Sequence, residues 1–373
     1  MFRVLLFSVF TLTHAYVFWR ISSVPFVIRH ASRKTVRIVG LILWVLLFCG
    51  LFLGHGGSGP WAAVLELLGM NWLGILLLAL VSLLMVEVGT GFGLLFHRIT
   101  PVLRGWALTV AGILSIVAMV QGARPPVVED YEVTVSDLPK EMDGTVIVGI
   151  ADLHLGSLIG KAWLQKRVSE VNAQKPDMVV LLGDILEGHG PSQHPLIPVF
   201  CRLTAPLGVW AVPGNHEAYG DYQKALDLME EAGLQVLCNR WVEIRPGFVV
   251  AGVEDLTIVR RRGKVPNQVS RTLEARPEGA TVLLSHTPWQ IEAAAEAGTD
   301  LMLCGHTHGG QIWPFGYLVR LVYPLLAGEY HVDGMTVIVC RGTGTWGPRM
   351  RLWHPGEISR VTLRRAIRRA NKG

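Results

Sequence analysis

The sequence predicts an α/β domain preceded by an all-helical, membrane-spanning region. Three observations carry this. Apolar residues crowd the first third of the chain. Five short apolar runs follow, with helix-like stretches between several of them. Each run ends in a small residue or Gly and then in Asp, Asn or His.

The first third is the apolar part. Residues 1–124 hold two acids, Glu66 and Glu87, against nine Arg and Lys; residues 125–373 hold the other 27 acids and 25 Arg and Lys. The pI near 9.0 therefore comes from this first third and from the basic run Arg364 to Lys372. Such a distribution fits a membrane and its anionic surface and argues against nucleic acid as a partner. Half the residues are hydrophobic and the mean hydropathy is +0.39. Four apolar segments, roughly 4–19, 37–53, 69–88 and 106–121, approach the ~20 residues that cross a bilayer as a helix. The first, with Arg3 ahead of its apolar core, has the outline of a signal peptide. It lacks a small-x-small cleavage site, and further spans follow.

Loop charges give an orientation. Arg20, Arg29, Arg33, Lys34 and Arg37 follow the first span, Gly54–Pro60 has no Lys or Arg, and Arg98 and Arg104 follow the third. With the basic loops in the cytoplasm, four spans leave the domain after residue 124 on the outer face. Glu87, near a span end, reads as a carboxylate that snorkels to the interface or pairs with Arg98; the alternative is a functional acid within the membrane. The glycines of Gly89-Thr-Gly-Phe-Gly93 lack the Lys of a phosphate loop and read as a helix end. Ala123-Arg-Pro-Pro-Val127 reads as a short stiff linker.

In the second part, Val146–Ile150 leads to Asp152 and His154, and Met178–Leu182 to Asp184. Val209–Val212 leads to Asn215 and His216, Thr281–Leu284 to His286, and Leu301–Cys304 to His306 and His308. Continuous apolar runs suit strands buried on both faces. The stretches 162–173 and 222–232 carry helical periodicity. Strands alternating with helices imply an α/β fold, in which ligands gather where the carboxyl ends of the strands meet.

The residue types then decide the chemistry. Asp, His and Asn are metal ligands, and no thiolate cage is available. The five cysteines form no CxxC pair, which argues against a disulfide framework or a structural zinc site. In extended chain, residues i and i+2 point to one side, so Asp152 and His154 can share an ion while His306 and His308 stand side by side. One ion takes about four to six ligands, so eight side chains serve two ions with one residue left over.

The order Asp-x-His, Gly-Asp, Gly-Asn-His-Glu, His, Gly-His-x-His resembles the calcineurin-like metallophosphoesterases, over roughly residues 143–345. The segments Gly309–Pro314 and Gly342–Arg349 resemble a membrane-associated bacterial branch, YkuE- or YaeI-like. The resemblance implies a four-layer sandwich with two mixed sheets flanked by helices. It places Asp152, His154 and His308 on a first metal, Asp184 between the two, and Asn215, His286 and His306 on a second. It gives His216 a catalytic role beside the phosphate. The implied cofactors are two divalent ions, Mn, Fe, Zn or Co. The implied reaction is hydrolysis of a phosphomonoester, phosphodiester or pyrophosphate bond by metal-activated hydroxide. Glu187, where Asp is common, is expected to touch no ligand.

The segments are therefore read as a transmembrane anchor of about four helices (1–122), a linker and first strand (123–142), a catalytic domain (143–360) and a basic tail (361–373). The anchor suggests a phosphorylated or lipid-linked small-molecule substrate and contact with membrane lipids. Were the domain cytoplasmic, the UDP-2,3-diacylglucosamine pyrophosphatase activity of lipid A synthesis, found among relatives of the branch, would be the sharper reading. A non-enzymatic membrane scaffold would require lost ligands, and none is missing. A transporter would need more polar residues inside the spans. His189, His194, His331 and His354 match no motif and read as loop or surface residues; His189, five residues past Asp184, is the first candidate for an exception. Glu217 reads as capping or orienting a neighbour. Arg260-Arg-Arg-Gly-Lys264 reads as a solvated loop that can steer an anion or touch headgroups. Arg349 and Arg351 either grip a phosphate or pack on the sandwich.

Overall fold

A computed structural model describes residues 2–187, 193–263 and 267–366. The chain divides into two compact units, one of Met1–Ala123 with Gly347–Trp353, the other of Arg124–Trp346 with His354–Gly373. His189, Lys264 and the last residues of the basic tail lie outside the described residues.

The first unit is helical. Among the described residues, four helices are long and apolar enough to cross a membrane: Val4–Ile21, Arg33–Gly54, Pro60–Gly89 and Thr100–Ala123. A short helix, Pro25–His30, interrupts the basic loop after the first. Its sequence has only one apolar cluster, too short to carry a helical period. Small residues let two of the long helices approach closely. A Cβ on Gly50 would come within 2.8 Å of the Gly69 Cα, the arrangement that gives van der Waals attraction where lipid supplies no hydrophobic drive. Glu87 is fully buried. It pairs with Arg104 through both oxygens, at 2.7 and 3.1 Å, and with Arg20 at 3.0 Å. The expected partner, Arg98, is replaced by two arginines that reach the same carboxylate from different helices. An acid buried among apolar helices is retained only with such compensation. Arg20 and Arg104 are thus spent inside the unit rather than on a loop. Arg349 and Arg351 also belong to this unit rather than to the sandwich: the Arg349 N–H donates to Asn71 at 2.8 Å and the Arg351 N–H to the Ala118 carbonyl at 2.9 Å.

The second unit holds two mixed sheets of six strands. The first comprises β1 (Val127–Val135), β2 (Val146–Ile150), β3 (Met178–Leu182), β4 (Val209–Val212), β5 (Gln235–Val236) and β12 (Glu357–Arg365), in the order β1-β12-β2-β3-β4-β5. The second comprises β6 (Arg240–Arg245), β7 (Phe248–Gly252), β8 (Ala280–Leu284), β9 (Leu301–Cys304), β10 (Gly328–Val332) and β11 (Met335–Val339), in the order β10-β11-β9-β8-β7-β6. The chain expected to be a tail from residue 361 is strand as far as Arg365, paired parallel with β1.

Alternation within the apolar runs builds four layers. Ile147, Val180 and Leu182 join Val250, Val282 and Leu303 in the core between the sheets. Their neighbours Val148, Ile150, Val179 and Leu181 face outward onto the helices Lys161–Ala173 and Tyr222–Glu231. On the second sheet Ala251, Leu283 and Met302 face outward onto Leu256–Arg261 and Ile291–Glu296. Each fully buried Val, Leu or Ile contributes about 1.5–3 kcal/mol, so these strands cannot slip register without large loss. β2, β3 and β4 run parallel, as do β8 and β9. Their carboxyl ends therefore form common rims, and the rims carry the polar residues.

Candidate metal centre

Seven of the eight candidate side chains converge, and Asn215 is joined to them through Tyr219, whose ring lies against His216. Asp152, His154, Asp184, Asn215, His216, His286 and His308 are buried, and His306 is half-buried. Three groups have ligand atoms mutually within 4.8 Å: Asp152 with His154 and His308, His154 with Asp184 and His216, and Asp184 with His286 and His306. Asp184 and His154 are shared between groups, so the site is one connected cluster.

The backbone is bent hard to achieve this. Asp152, His154, Asp184, His306 and His308 all have positive φ, between 48° and 72°. Such conformations are sparsely populated by non-glycine residues and persist where surrounding structure imposes them. The glycine before Asn215 shows why the motif needs no side chain there. A Cβ on Gly214 would lie 2.2 Å from the Asp184 Oδ1.

The polar contacts aim ligand atoms inward. The Nε2 atoms of His154 and His308 face each other at 3.1 Å, and His308 Nε2 lies 3.5 Å from Asp152 Oδ1. His286 Nε2 lies 3.1 Å from His306 Nδ1 and 3.2 Å from Asp184 Oδ2. Asp184 Oδ2 is also 3.9 Å from both His154 Nε2 and His216 Nε2, while its Oδ1 accepts the His216 N–H at 2.8 Å. His286 Nδ1 lies 2.7 Å from the Leu182 carbonyl, a contact that puts its proton there and leaves Nε2 as the donor atom.

Glu187 overturns the expectation that it touches no ligand. Its Oε1 lies 2.9 Å from His154 Nδ1 and its Oε2 2.9 Å from His216 Nδ1. One carboxylate thus fixes the tautomer of two imidazoles and turns both Nε2 atoms into the site. Its spacing, three residues past Asp184, was the available signal. Sequence reading also passed over Tyr323 and Tyr219. The Tyr323 hydroxyl lies 2.7 Å from His306 Nε2, and the Tyr219 hydroxyl accepts from Asn215 Nδ2 at 2.9 Å. Neither has a spacing that announces it. Glu217, fully buried, accepts the N–H groups of Asp184, Leu186 and Gly214 at 3.1, 2.8 and 2.7 Å. It orients loops rather than joining the ligand cluster. Among the unmatched histidines, His331 is exposed beside Glu329.

Charge follows geometry. Burial opposes ionisation of Asp184, but His286, His216 and His154 outweigh it and hold the carboxyl well below its usual range. Burial likewise opposes the charged Glu187, and His154 and His216 outweigh it. Burial, then the neighbouring His286, brings His306 down to about 4, so it offers a neutral imidazole at pH 7. Burial, with the nearby Asp184, pushes Glu217 up to about 7.

These donors fit divalent cations. Ionised carboxylates, and imidazoles whose inward nitrogens give up a proton on binding, are ligands for borderline ions such as Mn, Fe, Co and Zn. The Asn215 Oδ1 is buried and makes no hydrogen bond among the described residues, an orphan acceptor of the kind a cation satisfies. Glu187→Ala is expected to weaken binding of Mn2+ by about 10–100-fold, the range for removing a partner that orients ligands. Calorimetric titration of the full chain checks this, and an unchanged affinity would deny Glu187 that role.

Residues 145–310 match the family model described as calcineurin-like phosphoesterase. A "transmembrane protein with metallophosphoesterase domain" of Danio rerio is 32% identical over 272 residues, 70% of this chain and 62% of that protein. The matched region thus spans less than two thirds of that relative's own length. A metallophosphoesterase of Aquifex aeolicus is 35% identical over 242 residues, covering 64% of this chain and 91% of the relative. The metallophosphoesterase YkuE of Bacillus subtilis is 29% identical over 254 residues, covering 64% and 87%.

Proposed function

This chain belongs to the calcineurin-like phosphoesterase family, and from that premise we propose that it is a membrane-anchored, two-metal hydrolase of a lipid-linked or envelope phosphate ester. Its class is metal-dependent phosphoesterase. The finer reading rests on one observation: seven ligand-type side chains from two sheets meet in one cluster, in a chain with four helices, among the described residues, apolar enough to cross a bilayer.

In this reading Asp152, His154 and His308 hold one ion, Asn215, His286 and His306 the other, and Asp184 reaches both. Bound divalent ions supply Lewis acidity, lowering the pKa of water and offsetting charge on the phosphoryl oxygens. The chain's own residues do the rest. His216 stands beside the cluster with Nδ1 held by Glu187, so its Nε2 can stabilise or protonate the leaving oxygen. The Asp184 carboxylate fixes the His216 backbone. Glu217 holds the turns at Asp184 and Gly214 in place.

The multi-pass topology and outer-face location are part of the proposal. With Arg20 and Arg104 engaged by Glu87, Arg29, Arg33, Lys34 and Arg98 still outnumber the uncharged Gly54–Pro60 connection, which favours an outer catalytic domain. Purified full chain, assayed with several metals, is expected to hydrolyse bis-p-nitrophenyl phosphate or p-nitrophenyl phosphate. Chelation should abolish turnover and a divalent ion restore it. Hydrolysis that survives exhaustive chelation would sink the two-metal reading. A compartment-sensitive reporter fused after residue 373 tests the orientation. Found outside, it eliminates a nucleotide-lipid substrate made in the cytoplasm; found inside, it overturns the outer location.

A further inference from the structure

Beside the metal cluster lies a feature that the hydrolytic chemistry leaves unused. The helix Leu256–Arg261 ends in Arg260 and Arg261, both exposed. Each guanidinium lies over an aromatic ring that leads into the site. Arg260 sits 5.4 Å from the ring centre of Trp289. Trp289 stacks on Tyr323 at 5.3 Å and 19°, and the Tyr323 hydroxyl touches His306. Arg261 sits 5.9 Å from the Tyr219 ring. That ring lies 4.6 Å from His216, and its hydroxyl accepts from Asn215. Two cation–aromatic stacks thus run from consecutive arginines to candidate ligands.

The helix carrying them is pinned to the same centre. Asp255 caps its start, accepting the N–H groups of Thr257 and Ile258 at 3.0 Å each. The Thr287 hydroxyl, one residue past His286, also donates to Asp255. The third arginine is neutralised by Glu254. Arg260 and Arg261 form no ion pair among the described residues. Two adjacent, uncompensated cations repel each other, and aromatic stacking holds each in place at little entropic cost. An arginine fork so held matches phosphate oxygens bidentately.

We infer that Arg260 and Arg261 bind the non-scissile phosphate of a substrate carrying two phosphate groups. This rests on the hydrolase reading above and names the substrate class within it. It makes Arg260 and Arg261, at the end of a helix, specificity residues rather than part of a solvated loop.

The test compares two esters on the full chain in detergent. Bis-p-nitrophenyl phosphate has a single phosphorus; UDP-glucose carries two and serves as substrate or as competitor. Arg260→Ala and Arg261→Ala are each expected to weaken recognition of UDP-glucose about tenfold more than that of bis-p-nitrophenyl phosphate, in keeping with loss of a charged hydrogen bond. Arg→Lys at either position should recover part of the difference, because charge returns without the planar fork. Equal losses on both esters, or none on either, overturn the inference while wild-type turnover of bis-p-nitrophenyl phosphate leaves the hydrolase reading standing. A wild type that neither cleaves UDP-glucose nor is inhibited by it overturns it as well. A loss confined to activation by phosphatidylglycerol vesicles would assign the pair to a lipid headgroup and overturn the substrate assignment.

Discussion

Asp184→Ala is expected to lower kcat/KM by at least about a thousandfold, or ~4 kcal/mol of transition-state stabilisation. Among the eight, only His154 reaches as many of the others as Asp184 does. Its Oδ2 lies within 3.2 Å of His286 and 3.9 Å of His154 and His216. Its Oδ1 receives the His216 N–H. Truncation removes the anion that the two imidazole groups share, and it frees the backbone of the proposed proton donor in the same step. Metal content, measured by mass spectrometry on purified chain, should fall below the wild-type value. Asp184→Asn separates the two losses. An amide oxygen can still accept the His216 N–H, but the negative charge is gone. It should retain fold and His216 geometry while metal binding and turnover drop. Undiminished hydrolysis in Asp184→Ala would remove this residue from the centre of the proposal, and with it the idea of a shared bridge.

The five strands that carry the candidate ligands were legible because both of their faces are buried. Burial on two sides makes a run apolar without interruption, and its end is marked by the first polar residue. Of the strands read only from structure, β7 and β11 are buried just as fully but lead to no ligand motif, whereas two others are of another kind. β6 is Arg-Trp-Val-Glu-Ile-Arg and β10 is Gly-Glu-Tyr-His-Val. Both are edge strands with one solvated face, and their mixed composition resembles loop. From residue 361 the sequence of β12 reads as a tail because Arg364 and Arg365 dominate its end. Its pairing with β1, more than two hundred residues earlier, leaves no local mark.

The site divides in the same way. Residues that end a strand announce themselves; residues that orient those ligands do not. Residue type hides Glu187, and only its place three residues past Asp184 points to the site. Arg20 and Arg104 meet Glu87 only through the packing of three separate helices, which no spacing along the chain encodes.

Glu217→Ala is expected to cost about 3–5 kcal/mol of stability in the α/β unit. The side chain is fully buried and its two oxygens accept three backbone N–H groups, from Asp184, Leu186 and Gly214. Removing them strands three donors where water does not reach, each worth about 1–3 kcal/mol when unsatisfied. Part of that sum is recovered because a buried carboxylate, already pushed up to about 7 by burial and by Asp184, is itself costly to keep. In a unit of this size the net change corresponds to a fall in Tm of about 10 °C, readable from intrinsic tryptophan fluorescence of the full chain, since Trp210 lies in the inter-sheet core. Glu217→Gln keeps the volume and one carbonyl oxygen but turns an NH2 group toward N–H donors, so its loss should fall between the two. Both variants should lose activity beyond the fraction unfolded, because the turns Glu217 holds are those that present Asp184 and Asn215. An Ala variant melting with the wild type would mean that those backbone donors find partners without it, and that the bent loops hold their shape through the ligand cluster alone.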